Sequence, residues 1–296
     1  MKRLLPLITI LVFAVNSYCQ QIPPLSQYAY NHYLINPAAA GVTDSLALTF
    51  TFRKMWTGIE GSPSLQYLSG NMKVAPTMGA GVNLFNYILG PLRKTGLELT
   101  YSYHINLNSS NKLAFGLSAF IYQFNLDKSK LTFEEQDDLI LAGSDQNMFV
   151  PDVSFGTYFY GPSYHVGLSV PQLFNRNIDL KTDDVLQEKQ VRHYYLSGGY
   201  DFRLNPELML KPSVLIKLIE AGLYQVDVNA RFEYKEAFIM GVSFRTSDAV
   251  VFQLGFHREG LLVGYSYDLT ISHLNAQSFG SHEIFVRYLL GNPLIK

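Results

Sequence analysis

The sequence predicts one transmembrane antiparallel β-barrel of about 14 strands, and three observations lead to this fold class. Apolar and polar residues alternate in segments of about ten residues, the length that a strand needs to cross a bilayer. Short turns and longer loops join these segments in regular alternation. The chain of 296 residues is 48% hydrophobic and only 16% charged, yet beyond its N-terminus no run of 18 apolar residues could form a membrane helix.

The period of the alternation is two, as expected for strands. In residues 46–53, Leu or Phe alternates with Ala, Thr or Arg, and residues 97–105 and 226–234 repeat the pattern. Applied to the whole chain, it predicts strands at 45–54, 64–74, 77–87, 93–106, 112–125, 152–160, 163–170, 192–203, 207–218, 224–234, 237–245, 249–257, 261–269 and 280–290.

A secreted β-sandwich is the alternative architecture, because it also has one apolar face per strand. Charge distinguishes the two, since a sandwich core would have to bury many charged side chains whereas a barrel lumen can pair or hydrate them. The charged residues of the non-apolar faces are Arg53, Glu98, Lys211, Lys217, Asp227, Arg231, Glu233, Arg245, Asp268, Glu283 and Arg287.

The order of the connections favours the barrel as well. The even-numbered connections are short turns, whereas the two longest loops, 126–151 and 171–191, are odd-numbered. Outer-membrane barrels have short periplasmic turns and long extracellular loops. An even number of strands then predicts that both termini are periplasmic.

The N-terminus predicts secretion. Lys2-Arg3 precedes an apolar run at 4–15, and we expect cleavage of a signal peptide after Cys19. A lipoprotein acylated at Cys19 is the alternative, which Tyr18 disfavours. Cleavage removes the single cysteine and leaves residues 20–44 as a periplasmic or lumen-inserted segment before a barrel at 45–296.

Composition and motifs exclude other classes of function. The chain has 23 Lys and Arg against 24 Asp and Glu, so it is not a basic nucleic-acid binder. The histidines are scattered, and neither G-x-S-x-G nor H-E-x-x-H occurs. We therefore expect no enzymatic activity, no cofactor and no metal. The acidic loop 126–151 could bind a cation or a partner, or be an ordinary solvated loop, and loop 171–191 is a second candidate contact surface.

Barrel physics does not explain two motifs near the N-terminus. Residues 24–41 read PLSQYAYNHYLINPAAAG, and residues 52–63 read FRKMWTGIEGSP. Together they resemble the PorP/SprF family of outer-membrane proteins, which is associated with the Bacteroidetes type IX secretion and gliding machinery. The resemblance implies a non-enzymatic protein that helps secrete or anchor cargo proteins with a C-terminal sorting domain, and that contacts a periplasmic partner.

The motifs supply the candidate partner-binding residues, which are Gln27, Tyr28, Asn36, Pro37, Gly41, Arg53, Trp56, Gly58, Gly61 and Pro63. The first motif could dock a partner or plug the pore, or it could be a plain linker. Trp56 could be a binding anchor or a residue of the bilayer interface. The alternative function is an outer-membrane porin or hydrophobic-solute channel. Charges of both signs in the lumen instead predict little or no conductance.

Overall fold

The computed structural model describes residues 25–127, 129, 146–174, 177–179, 187–189, 191–220 and 222–291. The predicted signal peptide, 1–19, and most of the acidic part of loop 126–151 lie outside these residues. Among the described residues, no helix is long and apolar enough to span a membrane.

Strands make up most of the described chain. They are β1 (Leu46–Lys54), β2 (Ser64–Ala75), β3 (Met78–Leu89), β4 (Leu92–Asn106), β5 (Lys112–Leu126), β6 (Gln146–Tyr160), β7 (Tyr164–Val170), β8 (Asn177–Asp179), β9 (Gln187–Lys189), β10 (His193–Tyr200), β11 (Phe202–Asn205), β12 (Leu208–Ile219), β13 (Tyr224–Tyr234), β14 (Phe238–Arg245), β15 (Ala249–Arg258), β16 (Leu261–Thr270) and β17 (Ser281–Leu290).

These strands close into the predicted barrel. Successive wall strands pair antiparallel around the sheet, and β17 pairs with β1. The small β8–β9 ribbon lies in the chain between β7 and β10, which pair with each other, and β10 pairs in turn with β12. Because β11 extends β10, the wall has 14 strands. This confirms the fold class predicted from the period-two pattern.

The pleat sends apolar side chains outward and polar side chains inward. Leu99 is 57% exposed and Leu254 is 59% exposed, whereas their neighbours Thr100 and Gln253 are buried. An outward belt of Leu, Val, Phe and Tyr side chains matches the hydrocarbon layer of a bilayer. The inward face carries the hydroxyl, amide and charged groups that fill the interior.

Two predicted boundaries are wrong. The loop placed at 126–151 is shorter, because β6 already begins at Gln146 and pairs with β5 as far as Leu126. The predicted strand 192–203 is divided at Asp201 into β10 and β11, directly after Tyr200, which the register places opposite Pro212 of β12. Proline has no amide hydrogen to donate, so a strand beside it loses a ladder bond.

The barrel has two unlike ends. The short-turn end contains connections such as 76–77, 161–163 and 259–260, and the long-loop end contains 55–63, 171–192 and 271–280. Leu46 pairs with Leu290, so the sheet both begins and ends at the short-turn end.

Candidate functional site: the plugged lumen

Residues 25–44, here called the luminal plug, lie inside the barrel as far as Val42, and the exposed Thr43 and Asp44 lead from it to β1. They form three short 3-10 turns, Tyr28–Tyr30, His32–Leu34 and Pro37–Ala39. Ser26 bonds to side chains at the long-loop ends of β1 and β17, and the chain reaches the short-turn end before β1 begins at Leu46. The plug therefore crosses the lumen from one end to the other.

Buried charges hold the plug at the long-loop end. We call Arg53, Arg245, Asp268 and Glu283 the anchor cluster. Arg53 lies 2.7 Å from Asp268 and 3.0 Å from Glu283, and Arg245 lies 3.1 Å from Asp268. All four side chains are almost completely buried. Such pairing is what makes burial of charge tolerable, since an isolated buried charge would cost several kcal/mol.

The plug completes this cluster through Ser26 and Gln27. The Ser26 hydroxyl donates to Asp268 and accepts hydrogen bonds from Arg53 at 2.8 Å and from Arg245 at 3.1 Å. The backbone amides of Ser26 and Gln27 donate to the two carboxylate oxygens of Glu283, at 2.8 and 2.9 Å. These two hydrogen bonds to one carboxylate fix the backbone of the plug at Ser26 and Gln27.

The anchor cluster continues along the wall toward β12. Arg245 also lies 3.1 Å from Asp227 and 3.0 Å from Asp248, and Asp227 lies 3.7 Å from Lys217. Charges of both signs from six strands and one turn are therefore paired within the lumen. The sequence predicted that all of these charges except Asp248 face inward, and the structure shows which of them pair.

Tyrosines hold the middle of the plug. The Tyr28 hydroxyl accepts a hydrogen bond from the Asn229 side-chain amide at 2.5 Å. Tyr30 packs on Phe285, with ring centroids 5.4 Å apart, and the Arg231 guanidinium lies 4.4 Å from the centre of the Tyr30 ring. All three tyrosines of the plug, including Tyr33, are buried.

Neutral hydrogen bonds hold the plug at the short-turn end. The Asn36 side chain donates to the carbonyls of Thr157 and Leu168, at 2.9 and 3.2 Å, and its oxygen accepts from the Ala38 amide at 3.0 Å. The last bond caps a 3-10 turn whose first residue is Pro37. Asn36-Pro37 is thus a turn bonded to two strands of the wall.

The residues after this turn are bonded to β2 and β4. The Ala40 carbonyl accepts from the Ser102 hydroxyl at 2.7 Å, and the Gly41 amide donates to Asn71 at 3.2 Å. Beyond them, Asp44 pairs with Lys73. The hydrogen bond and charge of Lys73 hold the pKa of the exposed Asp44 carboxyl below its usual value of 3.8.

Glycines of the wall let the plug come this close. A Cβ at Gly116 would meet the backbone of Pro37 and Ala38, one at Gly79 would meet the Ala40 carbonyl, and one at Gly81 would meet the Tyr33 ring. In the plug itself, Gly41 has φ +71° and lies against Gly79. Sequence reasoning missed the wall glycines, although each is in phase with the lumen-facing residues of its strand.

The plug separates two cavities, each of about 180 Å³. The cavity toward the long-loop end, here the aromatic cavity, has Leu25 and Tyr33–Pro37 of the plug as its floor and aromatic side chains on its walls. The cavity toward the short-turn end is lined by His32, His165, Lys211 and Arg231 together with several tyrosines.

The second motif forms a structured rim at the long-loop end. Thr57 and the loop before β17 are joined by three hydrogen bonds, including Thr57 N to Gly280 O at 2.8 Å and Phe279 N to Thr57 O at 2.7 Å. Trp56 is half-buried, with φ +45°, and its amide donates to Ser281. Gly58 and Gly61 both have positive φ, and the Pro63 carbonyl accepts from the Met55 amide.

The structure thus divides the ten candidate residues between two places. Gln27, Tyr28, Asn36, Pro37 and Gly41 are in the plug, and Trp56, Gly58, Gly61 and Pro63 are in the rim loop. Arg53 joins them, because its side chain holds Ser26 while its strand leads into the rim. Within the described residues, no group of three or more His, Cys, Asp or Glu side chains could hold a metal ion.

A closed barrel with an apolar outer belt and a lumen filled by its own N-terminal segment is a plugged outer-membrane β-barrel. The family described as type IX secretion system membrane protein PorP/SprF matches residues 17–288, and the chain belongs to this family. No curated protein matches the chain.

The solved structures that resemble this chain do so at low similarity. The Ralstonia pickettii toluene transporter TbuX has 10% identity and a TM-score of 0.48, over 87% of this chain and 92% of that one. A Pseudomonas aeruginosa FadL homologue has 9% identity and a TM-score of 0.47, over 90% and 94%. Likenesses this distant say nothing about what this barrel binds.

Proposed function

We propose that this barrel is a non-enzymatic component of the type IX secretion and gliding machinery, and that it helps secrete or anchor cargo proteins with a C-terminal sorting domain. The observation that carries the proposal is the luminal plug, anchored by Ser26 at one end and Asn36 at the other. A lumen filled in this way offers no wide path for a polypeptide. Docking is therefore the role we assign to the barrel, and membership of the PorP/SprF family supports it.

The two ends of the barrel would then serve different partners. We place the long-loop end at the cell surface and the short-turn end in the periplasm, as in other outer-membrane barrels. Cargo would contact the rim loop around Trp56, where an aromatic residue is held in an ordered loop. A periplasmic component of the machinery would contact the short turns.

Affinity purification from the native outer membrane tests this proposal. The tagged barrel is isolated in mild detergent and its partners are identified by mass spectrometry, with Trp56→Ala as the test variant and Tyr224→Ala as the control. Tyr224 is an exposed aromatic residue at the same end of the barrel, on β13. We expect sorting-domain cargo to co-purify with the wild type and the control and to be depleted at least twofold with Trp56→Ala. Absence of cargo in cells that express it would contradict the proposal.

Conductance separates this function from the alternative, a porin or hydrophobic-solute channel. A plugged barrel in a planar bilayer should show little or no current, since its lumen is occupied between the two cavities. Large and stable single-channel currents from the wild-type protein would favour the channel.

A further inference from the structure

Glu98 is a charged residue of the lumen that the plug does not use. It lies on the inner face of β4 and lines the aromatic cavity. The Asn83 side-chain amide donates to its carboxylate at 2.9 Å. Within the described part of the chain, no Lys, Arg or His lies within ion-pair distance of Glu98.

The cations that line the same cavity are already held by other groups. The Lys94 ammonium lies 5.9 Å from the centre of the Tyr122 ring and 5.5 Å from that of Phe124. Lys217 donates to Gln225 at 3.2 Å and lies 3.7 Å from Asp227. Glu98 is thus a carboxylate that faces the cavity with its charge unbalanced.

Aromatic rings line the same cavity as this carboxylate. Tyr67 and Phe85 are stacked with centroids 5.9 Å apart, Phe120 and Tyr122 are stacked at 6.3 Å, and Tyr33 of the plug closes the floor. The face of an aromatic ring attracts cations, and this attraction strengthens when the cation is removed from water. A carboxylate and aromatic rings that line one cavity are the groups that bind an ammonium or guanidinium group.

The size of the cavity limits the ligand. Its volume of about 180 Å³ compares with the roughly 150 Å³ in which a dry engineered cavity holds benzene. One aromatic ring or one extended lysine side chain therefore fits. We propose that the aromatic cavity binds an organic cation of this size, with Glu98 as its counter-ion and with Tyr67 and Phe85 as its walls.

Three benzene derivatives of similar size, one cationic, one neutral and one anionic, test the site. Benzylammonium, benzyl alcohol and benzoate are titrated into the purified barrel in detergent, and binding is followed by ligand-observed NMR. We expect benzylammonium to bind about tenfold more tightly than benzoate. Glu98→Gln should weaken benzylammonium binding by about the same factor and leave benzyl alcohol unchanged, since glutamine keeps an acceptor for Asn83.

Glu207→Gln is the matched control, because Glu207 is an exposed carboxylate at the short-turn end. Heat-modifiable gel migration shows whether each variant is folded, and Tyr67→Leu tests the aromatic wall if Glu98→Gln does not fold. Unsaturable benzylammonium binding, equal affinity for all three compounds, or equal losses in the Glu98 and Glu207 variants would overturn the proposal.

Either a free amine or a lysine side chain of a partner could supply the cation. Acetyl-Gly-Lys-Gly-amide is therefore titrated in parallel. Binding tighter than that of benzylammonium supports the site with a side chain as its ligand, and weaker binding supports it with a free amine. The purified barrel contains no cargo, so the result is independent of the cargo experiment.

Discussion

At its long-loop end the luminal plug is held by buried charges, whereas at its short-turn end it is held by neutral hydrogen bonds and close packing on glycines. Ser26 and Gln27 contact two arginines and two carboxylates. Asn36 and Ala40 contact carbonyls, hydroxyls and His104 instead.

The difference shows two ways of fixing a chain inside a barrel. At the long-loop end the paired charges are buried and dehydrated. Removal of one therefore leaves another charge buried without a partner, which is destabilising. The glycine end depends on the absence of side chains, so an added carbon is disruptive. The following substitutions separate the two, from the largest expected effect to the smallest.

Arg53→Met should destabilise the barrel most, by about 3–5 kcal/mol, because Asp268 and Glu283 lose a cation inside the lumen. Urea unfolding of the barrel in lipid vesicles measures the loss. Arg203→Met is the control, since Arg203 and Glu236 form an exposed pair at 4.0 Å, and it should change stability by about 1 kcal/mol or less. Equal effects of the two variants would show that the anchor cluster does not hold the plug.

Gly116→Ala should cost about 1–3 kcal/mol, because its Cβ would overlap the backbone of the plug at Pro37 and Ala38. If the plug shifts, single-channel currents should appear in planar bilayers. Gly198→Ala is the matched variant, since its Cβ would meet its nearest atom at an ordinary 3.6 Å. If the Gly116 variant is as stable as the Gly198 variant and shows no more current, the plug does not pack closely against Gly116.

Asn36→Ala should cost about 1–2 kcal/mol, because it removes a turn cap and two bonds to the wall. The same unfolding assay measures it. Asn205→Ala removes a side-chain cap in an exposed turn and should cost less. Indistinguishable losses would mean that the Asn36 side chain contributes only its local cap.

Asp44→Asn should have the smallest effect, below about 1 kcal/mol, because Asp44 is 83% exposed. The folded pKa is depressed, so the stabilisation is fully present above the unfolded pKa of 3.8 and is lost as the pH falls through the folded value. The wild type and the variant should therefore differ in stability at pH 7 and converge as the pH falls below the folded pKa of Asp44. In a Lys73→Met background the difference at pH 7 should disappear.

The sequence could predict the wall of the barrel because the alternation is local. Each strand carries its own apolar and polar residues, so the face of Arg53 or Glu283 follows from its neighbours in the chain. The interruption at Asp201 and the start of β6 were not predictable in this way. They depend on Pro212 and on pairing with β5, which lie elsewhere in the chain.

The candidate site was only partly predictable. The motif residues Asn36, Gly41 and Arg53 were selected from the sequence, but their contacts were not. Arg53 and Glu283 are separated by 230 positions, and barrel closure brings their strands together. The glycines at 79 and 116 look like weak points of their strands until the plug is seen beside them.

The sequence by itself determined the antiparallel barrel, its number of strands and the inward direction of its charges, because period-two patterns act over a few residues. The tertiary structure alone decided that residues 25–42 fill the lumen, that Ser26 completes the anchor cluster, and that Glu98 faces an aromatic cavity. Each of these features is built from residues of strands that are far apart in the chain. Those strands enclose one lumen only when the barrel closes.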